Sequence, residues 1–261
     1  MRALLLALLL SAAPAQACRL ALALALDVSG SVDQTEYRLQ MQGLAEALDD
    51  PDVQRAFFAM PEVPVALAIY EWSSSTYQRM VQDWILLNEP QDLARLTRHL
   101  RHWTRQPAPE ATGLGAAIEY GRDLLRGNPG CWKETLDVSG DGKNNDWPVP
   151  RELKRQGRIV GMRINALVVA RAVEGHGQVL PLEIGELSAY FHAEVIQGPD
   201  AFVEVALGFQ DYTRAMKRKL LRELATLPLG APAPRPDKGY RLARQAALLN
   251  NGEIGHGRDD Q

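Results

Sequence analysis

The chain alternates between uninterrupted apolar runs and stretches with helical periodicity. A continuous apolar run of this length is typical of a strand that is buried on both faces of a parallel sheet. Such runs predict strands at residues 20–26, 63–72, 132–140, 162–169 and 202–207. Residues 76–84 alternate polar and apolar positions more strongly, which predicts an edge strand joined to the one before it.

Between these strands, apolar positions recur with the period of an α-helix. They predict helices at residues 33–48, 53–59, 92–103, 114–125, 150–156, 182–191 and 211–227. The basic run at 217–219 is expected to lie on a solvated face of the last helix. Strands that alternate with helices predict an α/β fold, here a doubly wound, mainly parallel six-stranded sheet with helices on both faces.

A polar cluster follows the first predicted strand, where Asp27 is succeeded by Ser29 and Ser31 and where Gly30 allows the backbone to bend. Open α/β sheets bind their ligands at this end of the strands. One carboxylate and two hydroxyls are hard oxygen ligands, which suit Mg²⁺, Mn²⁺ or Ca²⁺ better than zinc. The same residues could equally form an N-cap for the next helix, and on their own they do not separate the two interpretations.

Two further polar groups are predicted at the same edge of the sheet. Thr112 precedes the helix at 114–125 and is well placed as its N-cap, while Asp141 follows the fourth predicted strand. The polar turn at 141–146 does not fit an EF-hand loop, which needs acids at alternate positions and a distant glutamate. Since right-handed crossovers bring the carboxyl ends of the strands to one edge, all three clusters should meet there.

These motifs resemble those of the von Willebrand factor type A (VWA) domain family. Residues 27–31 (DVSGS) resemble its D-x-S-x-S motif, Thr112 its second-loop threonine, and Asp141-Gly142 the aspartate-glycine pair after its fourth strand. The resemblance spans roughly residues 19–227 and departs from the commonest pattern at 138–140. Within the family, the chain is most similar to a bacterial group of exported VWA-type proteins of unknown function.

The resemblance implies a metal-ion-dependent adhesion site. Its ligands would be the hydroxyls of Ser29, Ser31 and Thr112, with Asp27 and Asp141 binding directly or through waters. The implied cation is Mg²⁺, with Mn²⁺ or Ca²⁺ as alternatives; Mg²⁺ keeps several waters, which leaves a coordination position for a partner's carboxylate. The expected function is a binding module that captures an acidic residue of a protein partner, without enzymatic activity.

Two other functions stay open. A metal-dependent hydrolase or phosphatase on a doubly wound sheet would want a second acid two residues after Asp27, where the chain has Ser29. It would also want a general acid or base, and His99 and His102 are better explained as a solvent-facing helical pair than as metal ligands. The other alternative is a structural envelope protein whose metal site only stabilises its loops.

Residues 1–17 have the basic start, apolar core and small-residue end of a secretory signal peptide, with cleavage expected after Ala17. Pro14 and Gln16 interrupt the apolar run too early for a membrane anchor, so no stable membrane span is expected after cleavage. The mature protein would be periplasmic or secreted. Lipidation of Cys18 is an alternative, although Gln16 fits a lipoprotein signal badly.

Composition and charge argue against one class of partner and indicate where the domain ends. The 261 residues are 46% apolar and 23% charged, and a net charge of −3 makes nucleic acid a poor candidate. We expect a VWA-like domain at 18–227, followed at 228–261 by a linker rich in proline and glycine and a flexible tail.

The VWA resemblance also predicts a disulfide between Cys18 and Cys131. In that fold the first and fourth strands are neighbours, and the two cysteines lie nine and ten residues before Asp27 and Asp141. Adjacent strands are ~4.8 Å apart, within the ~4.4–6.8 Å that a disulfide needs between its Cα atoms. An exported protein meets an oxidising compartment in which this bond can form.

Overall fold

Six strands form a single sheet at the centre of the part of the chain that the structure, a computed structural model, describes: residues 18–170 and 181–225. The strands are β1 (Leu20–Asp27), β2 (Val65–Trp72), β3 (Gln78–Leu87), β4 (Glu134–Gly140), β5 (Ile164–Val169) and β6 (Val203–Ala206). Their order is β3-β2-β1-β4-β5-β6, and all neighbours are parallel except the antiparallel pair β2 and β3. The prediction of a mainly parallel six-stranded sheet is confirmed.

Helices pack on both faces of the sheet, as predicted. They are α1 (Gln34–Asp49), α2 (Pro51–Phe57), α3 (Pro90–His102), α4 (Leu114–Arg126), α5 (Pro150–Arg155), α6 (Pro181–Tyr190) and α7 (Tyr212–Ala225). A single π-helical turn (Phe191–Val195) continues α6, and a short 3₁₀ turn (Phe209–Asp211) precedes α7. None of the described helices is both long enough and apolar enough to cross a membrane.

The alternation of leucine and alanine in β1 divides the core into two layers. The leucines at 20, 22, 24 and 26 pack with residues of α1, α2, α3 and α7. The alanines at 21, 23 and 25 belong to the opposite layer, with residues of α4 and α5. The small alanine side chains on that face of β1 let α4 approach the sheet closely. Gly121 of α4 shows how close the approach is, since a Cβ added there would lie only 2.6 Å from a methyl group of Leu136 in β4. Every residue of β1 is buried, which fits its position in the middle of the sheet.

The predicted disulfide is present. Cys18 and Cys131 are bonded across 113 residues of chain, with their Cα atoms 4.4 Å apart. They precede β1 and β4, so the bond joins the two central strands at the edge where both begin. The polar loops that follow these strands lie at the opposite edge.

The basic run in α7 differs from the prediction, because Lys219 is 0% exposed. Its Nζ lies 2.5 Å from Asp137 Oδ2 and 3.0 Å from Glu223 Oε1, and Glu223 also accepts a hydrogen bond from Asn165. Burial acts to lower the pKa of Lys219, but the two carboxylates outweigh it and the pKa is raised, so the side chain stays charged. Lys217 follows the prediction and pairs at the surface with Asp50.

Replacing Lys219 tests this buried network. Lys219→Met should lower the free energy of unfolding by about 3–5 kcal/mol, because it leaves two buried carboxylates without their cation. Lys217→Met, on the same helix, breaks only surface ion pairs and should cost much less. Urea denaturation followed by circular dichroism measures both, and equal losses would contradict the network.

Candidate metal centre

The loop after β1 holds its side chains in a tight turn at the end of the sheet. Asp27 is the last residue of β1, and its Oδ1 accepts a hydrogen bond from the Ser29 amide at 2.9 Å. The Gly30 amide donates to the Glu110 carbonyl at 3.0 Å, and an added Cβ on Gly30 would lie 2.9 Å from the Glu110 Cβ. Gly30 is therefore required because a second loop passes directly over the turn.

A chain of side-chain hydrogen bonds connects this turn to the two other predicted loops. The Ser29 and Ser31 Oγ atoms lie 3.2 Å apart. Thr112 Oγ1 donates to Ser29 Oγ at 3.5 Å, and Ser31 Oγ donates to Asp141 Oδ1 at 2.5 Å. The structure thus brings together Ser29, Ser31, Thr112 and Asp141, with Asp27 hydrogen-bonded within the same turn.

Asp27 and Asp141 are placed by the two central strands, β1 and β4. The order of the strands reverses between β1 and β4, and the crevice at such a switch point is where open α/β sheets bind ligands. Burial and the nearby Asp141 carboxylate raise the pKa of Asp27 to about 7. Two carboxylates are therefore held close together at the usual ligand edge of the fold.

Thr112 does not cap α4, so that prediction is wrong. The N-cap is Gly113, and it makes no side-chain capping bond. The amide of Thr112 donates instead to Asn145 Oδ1 at 2.7 Å, and the Asn145 amide donates back to the Thr112 carbonyl at 3.0 Å. Because Asn145 holds its backbone from both sides, the Thr112 hydroxyl is left to face Ser29.

The polar turn after β4 contributes residues that the motifs did not identify. Asn144 Oδ1 accepts a hydrogen bond from the Gly115 amide at 3.2 Å, and Asp146 Oδ2 accepts one from the Ser75 amide at 2.7 Å. With Asn145, they fasten this turn to the loops after β2 and before α4. The only sequence signal for this role was a run of six residues, 141–146, with no apolar side chain between a strand and a helix.

The environment of the Asp27 side chain is evidence for a cation-binding site at the end of β1. It is 1% exposed, its Oδ2 has no hydrogen-bond partner, and it forms no ion pair with any described residue. A buried carboxylate oxygen without a partner is costly, and a bound cation would satisfy it. The five converging side chains offer only oxygen atoms, three hydroxyls and two carboxylates, a donor set that fits a hard divalent cation. Among the described residues, no group of three or more Asp, Glu, His or Cys side chains could hold a metal.

Comparison with known proteins identifies the family. A family model described as "Protein of unknown function (DUF1194)" matches residues 17–228. The chain belongs to the DUF1194 family. No curated protein sequence matches this DUF1194 chain.

Solved structures that resemble the DUF1194 chain have low sequence identity to it. Proximal thread matrix protein 1 from the mussel byssus, in a form with a zinc-occupied MIDAS motif, is 14% identical with a TM-score of 0.53. A von Willebrand factor type A protein from Catenulispora acidiphila is also 14% identical with a TM-score of 0.53. The pilus adhesin SpaC from Lactobacillus rhamnosus GG, in an open conformation, is 13% identical with a TM-score of 0.51.

These alignments include 79% of the DUF1194 chain in each case. They include 46% of the mussel protein, 43% of the Catenulispora protein and 30% of SpaC, so the chain spans less than half the length of each. At this level of identity the comparison shows the fold, and the predicted resemblance to VWA domains is confirmed.

The close approach of the turn after β4 to α4 gives a test of how the centre is assembled. A Cβ added at Gly115 would lie 1.9 Å from the Pro148 carbonyl oxygen. Gly115→Ala should therefore displace this turn and destabilise the protein by about 1–3 kcal/mol, as overpacking does elsewhere. Gly185→Ala is the control, since Gly185 lies within α6 with nothing near the added Cβ, and it should be neutral or slightly stabilising. Urea denaturation of both variants is the measurement, and a stable Gly115→Ala variant would contradict the assembly described here.

Proposed function

We propose that this chain is an exported VWA-type binding module that holds a divalent cation and captures an acidic residue of a protein partner. Mg²⁺ is the proposed cation, with Mn²⁺ or Ca²⁺ as alternatives. The observation that carries the proposal is the convergence of five oxygen-bearing side chains around a buried carboxylate, Asp27, whose Oδ2 has no hydrogen-bond partner. The zinc-occupied MIDAS motif of the similar mussel protein supports a divalent cation at such a site.

Each residue has a proposed role. Ser29, Ser31 and Thr112 would bind the cation through their hydroxyl oxygens, and Asp27 and Asp141 would bind it directly or through water. When bound, the cation supplies an electrophilic position that a partner's carboxylate oxygen can occupy. Hydroxyls neutralise little of the cation's charge, so this donor set favours an acidic side chain as the further ligand.

Binding explains the described residues better than hydrolysis does. The position two residues after Asp27, where a phosphatase of this architecture would want an acid, is occupied by Ser29. His99 Nε2 lies 2.9 Å from the Val81 carbonyl oxygen, and His102 Nδ1 lies 2.8 Å from the Arg98 carbonyl oxygen. Both histidines thus contact backbone carbonyl oxygens, and neither is hydrogen-bonded to a described residue of the candidate centre.

Export is supported by the cysteines as well as by residues 1–17. The Cys18–Cys131 disulfide is typical of a protein that matures in an oxidising compartment. A sulfur atom bonded in a disulfide cannot also carry a thioether-linked lipid, which disfavours lipidation of Cys18. We therefore propose a periplasmic or secreted protein without a lipid anchor.

Two variants at Thr112 test the hydroxyl ligand. Thr112→Val keeps the shape of the side chain but removes the oxygen, and it should weaken Mg²⁺ binding about tenfold or more. Thr112→Ser keeps the oxygen and should bind Mg²⁺ nearly as well as the parent. Calorimetric titration of Mg²⁺ and Mn²⁺ into residues 18–261 measures the affinities, and equal affinities in the two variants would contradict the assignment.

Asp27→Asn should have opposite effects with and without the cation. In a chelator it should raise the melting temperature, because it removes a buried charge that faces Asp141. With Mg²⁺ it should lose the stabilisation that binding gives the parent, since a cation stabilises only the state that binds it. Asp123→Asn, an exposed carboxylate on α4, is the control and should still gain stability from Mg²⁺. If Asp27→Asn also gained stability from Mg²⁺, the ion would bind elsewhere.

Trp147 is the proposed hydrophobic contact beside the centre. It is 64% exposed and follows Asp146 in the turn that is fastened to the other two loops. Exposed tryptophans are frequent binding hot spots, so Trp147→Ala should weaken partner capture about tenfold or more and leave Mg²⁺ affinity unchanged. Val160→Ala alters another exposed apolar residue, 76% exposed and at the opposite edge of the sheet before β5, and should have no effect.

The readout for Trp147 is a protein retained from the exported fraction in Mg²⁺ and released by a chelator. Asp27→Asn should retain none of it, which ties the capture to the metal centre. If the Trp147→Ala variant retained as much of this protein as the Val160→Ala variant, the partner would not contact this tryptophan.

A further inference from the structure

A separate cavity of about 220 Å³ opens between α1, α3 and the segment that follows α3. Three arginines line it, Arg38 on α1, Arg101 on α3 and Arg105 beyond α3, together with the rings of Tyr37 and Trp103. No acidic residue is among the described residues that line the cavity. Its walls therefore combine cationic groups with aromatic surface, and none of its residues belongs to the candidate metal centre.

The rings of Tyr37 and Trp103, which form the aromatic wall of the cavity, are both hydrogen-bonded to the buried carboxylate of Glu71. Tyr37 Oη donates to Glu71 Oε1 at 2.5 Å, and Trp103 Nε1 donates to the same oxygen at 2.9 Å. Glu71 lies near the end of β2 and is buried, and the Arg79 guanidinium stacks on the Trp103 ring at 4.1 Å. Because the polar ends of both rings are already satisfied, the rings are positioned before any ligand arrives.

Two of the three arginines have no ion-pair partner among the described residues, so their guanidinium groups can pair with a ligand. Arg101 is neutralised by Asp49, with 2.5 Å between nitrogen and oxygen. Within residues 18–170 and 181–225, neither Arg38 nor Arg105 has a carboxylate at ion-pair distance. Arg105 donates to the Val28 carbonyl at 3.2 Å, and its guanidinium lies 5.4 Å from the centre of the Tyr37 ring. The buried Glu71 carboxylate attracts Arg105 electrostatically but is not at ion-pair distance, so Arg105 is oriented by the backbone and the ring and is not directly paired.

We propose that this cavity binds a small organic carboxylate that carries an aromatic or other apolar body. Arg38 and Arg105 would bind the carboxylate, since the planar guanidinium matches a carboxylate in geometry and charge. Tyr37 and Trp103 would pack against the apolar body. The volume suits a molecule of roughly ten non-hydrogen atoms, smaller than the drug-sized ligands of typical pockets.

Phenylacetate, phenylacetamide and acetate are the probes for this site. They are titrated into the ¹⁵N-labelled chain from Cys18 to Gln261 while the indole N–H signal of Trp103 is followed by NMR. A chelator is present throughout, so the result does not depend on the metal centre or on its proposed function. Phenylacetate should shift the signal saturably, with a Kd on the order of 1 mM as expected for so small a ligand.

The two other probes separate charge from apolar contact. Phenylacetamide keeps the ring but lacks the charge, and acetate keeps the charge but lacks the ring, so both should bind about tenfold more weakly or not at all. Equal binding of phenylacetamide, or the absence of a saturable shift with phenylacetate, would overturn the proposal. Equal binding of acetate would overturn the role of the aromatic wall.

Arginine variants locate the binding. Arg38→Gln should weaken phenylacetate binding about tenfold, and because Arg38 is an exposed residue of α1 this variant should fold normally. Arg105→Gln should have a similar effect, although it also removes the contact with Val28. Arg98→Gln is the matched control, since it removes the same charge from α3 outside the cavity, and it should bind like the parent. If Arg38→Gln and Arg98→Gln lost the same amount of phenylacetate affinity, the effect would be one of net charge alone and the proposed site would be refuted.

Discussion

The burial of Asp27 at the end of the central strand is the constraint around which the rest of the candidate centre is arranged. A carboxylate in this place costs free energy unless each of its oxygens finds a partner, and within the described residues only Oδ1 does. The surrounding loops bring a second carboxylate and three hydroxyls towards it instead of a compensating lysine or arginine side chain. An arrangement that tolerates this cost is typical of a functional site, because natural chains keep such groups where activity requires them.

The scaffold meets this constraint through backbone contacts more than through the motif residues themselves. Asn145 holds Thr112, Asn144 holds Gly115, and Asp146 holds Ser75, so one turn aligns two others. The motif hydroxyls are thereby freed from capping or turn duties. Their oxygen lone pairs are directed towards one another, where a cation could bind them, and the nearby carboxylate of Asp141 already accepts from one of the hydroxyls.

Much of this could be predicted from sequence, and the failures have physical causes. Apolar runs and the order of the three polar clusters predicted the sheet, its helices and the convergence of five side chains, because strand ends in a parallel sheet share an edge. Thr112 was wrongly assigned as an N-cap because its backbone partner, Asn145, lies 33 residues away. In 217–219 three successive cations point in different directions around one helix, and composition does not show which of them faces the sheet. The cavity between α1 and α3 was missed because Arg38 and Arg105 come from separate segments and match no motif.

The Cys18–Cys131 bond has a consequence for how the domain carries mechanical load. The bond closes a covalent ring of chain that includes β1, the loop after β1 and Thr112, while Asp141 lies outside it. Tension applied between Cys18, the first residue after the expected cleavage site, and the end of α7 passes from one sulfur to the other and enters β4 directly. The 112 residues between the cysteines are bypassed by that force. A domain of this construction can be pulled while the loops bearing Ser29, Ser31 and Thr112 remain unstretched.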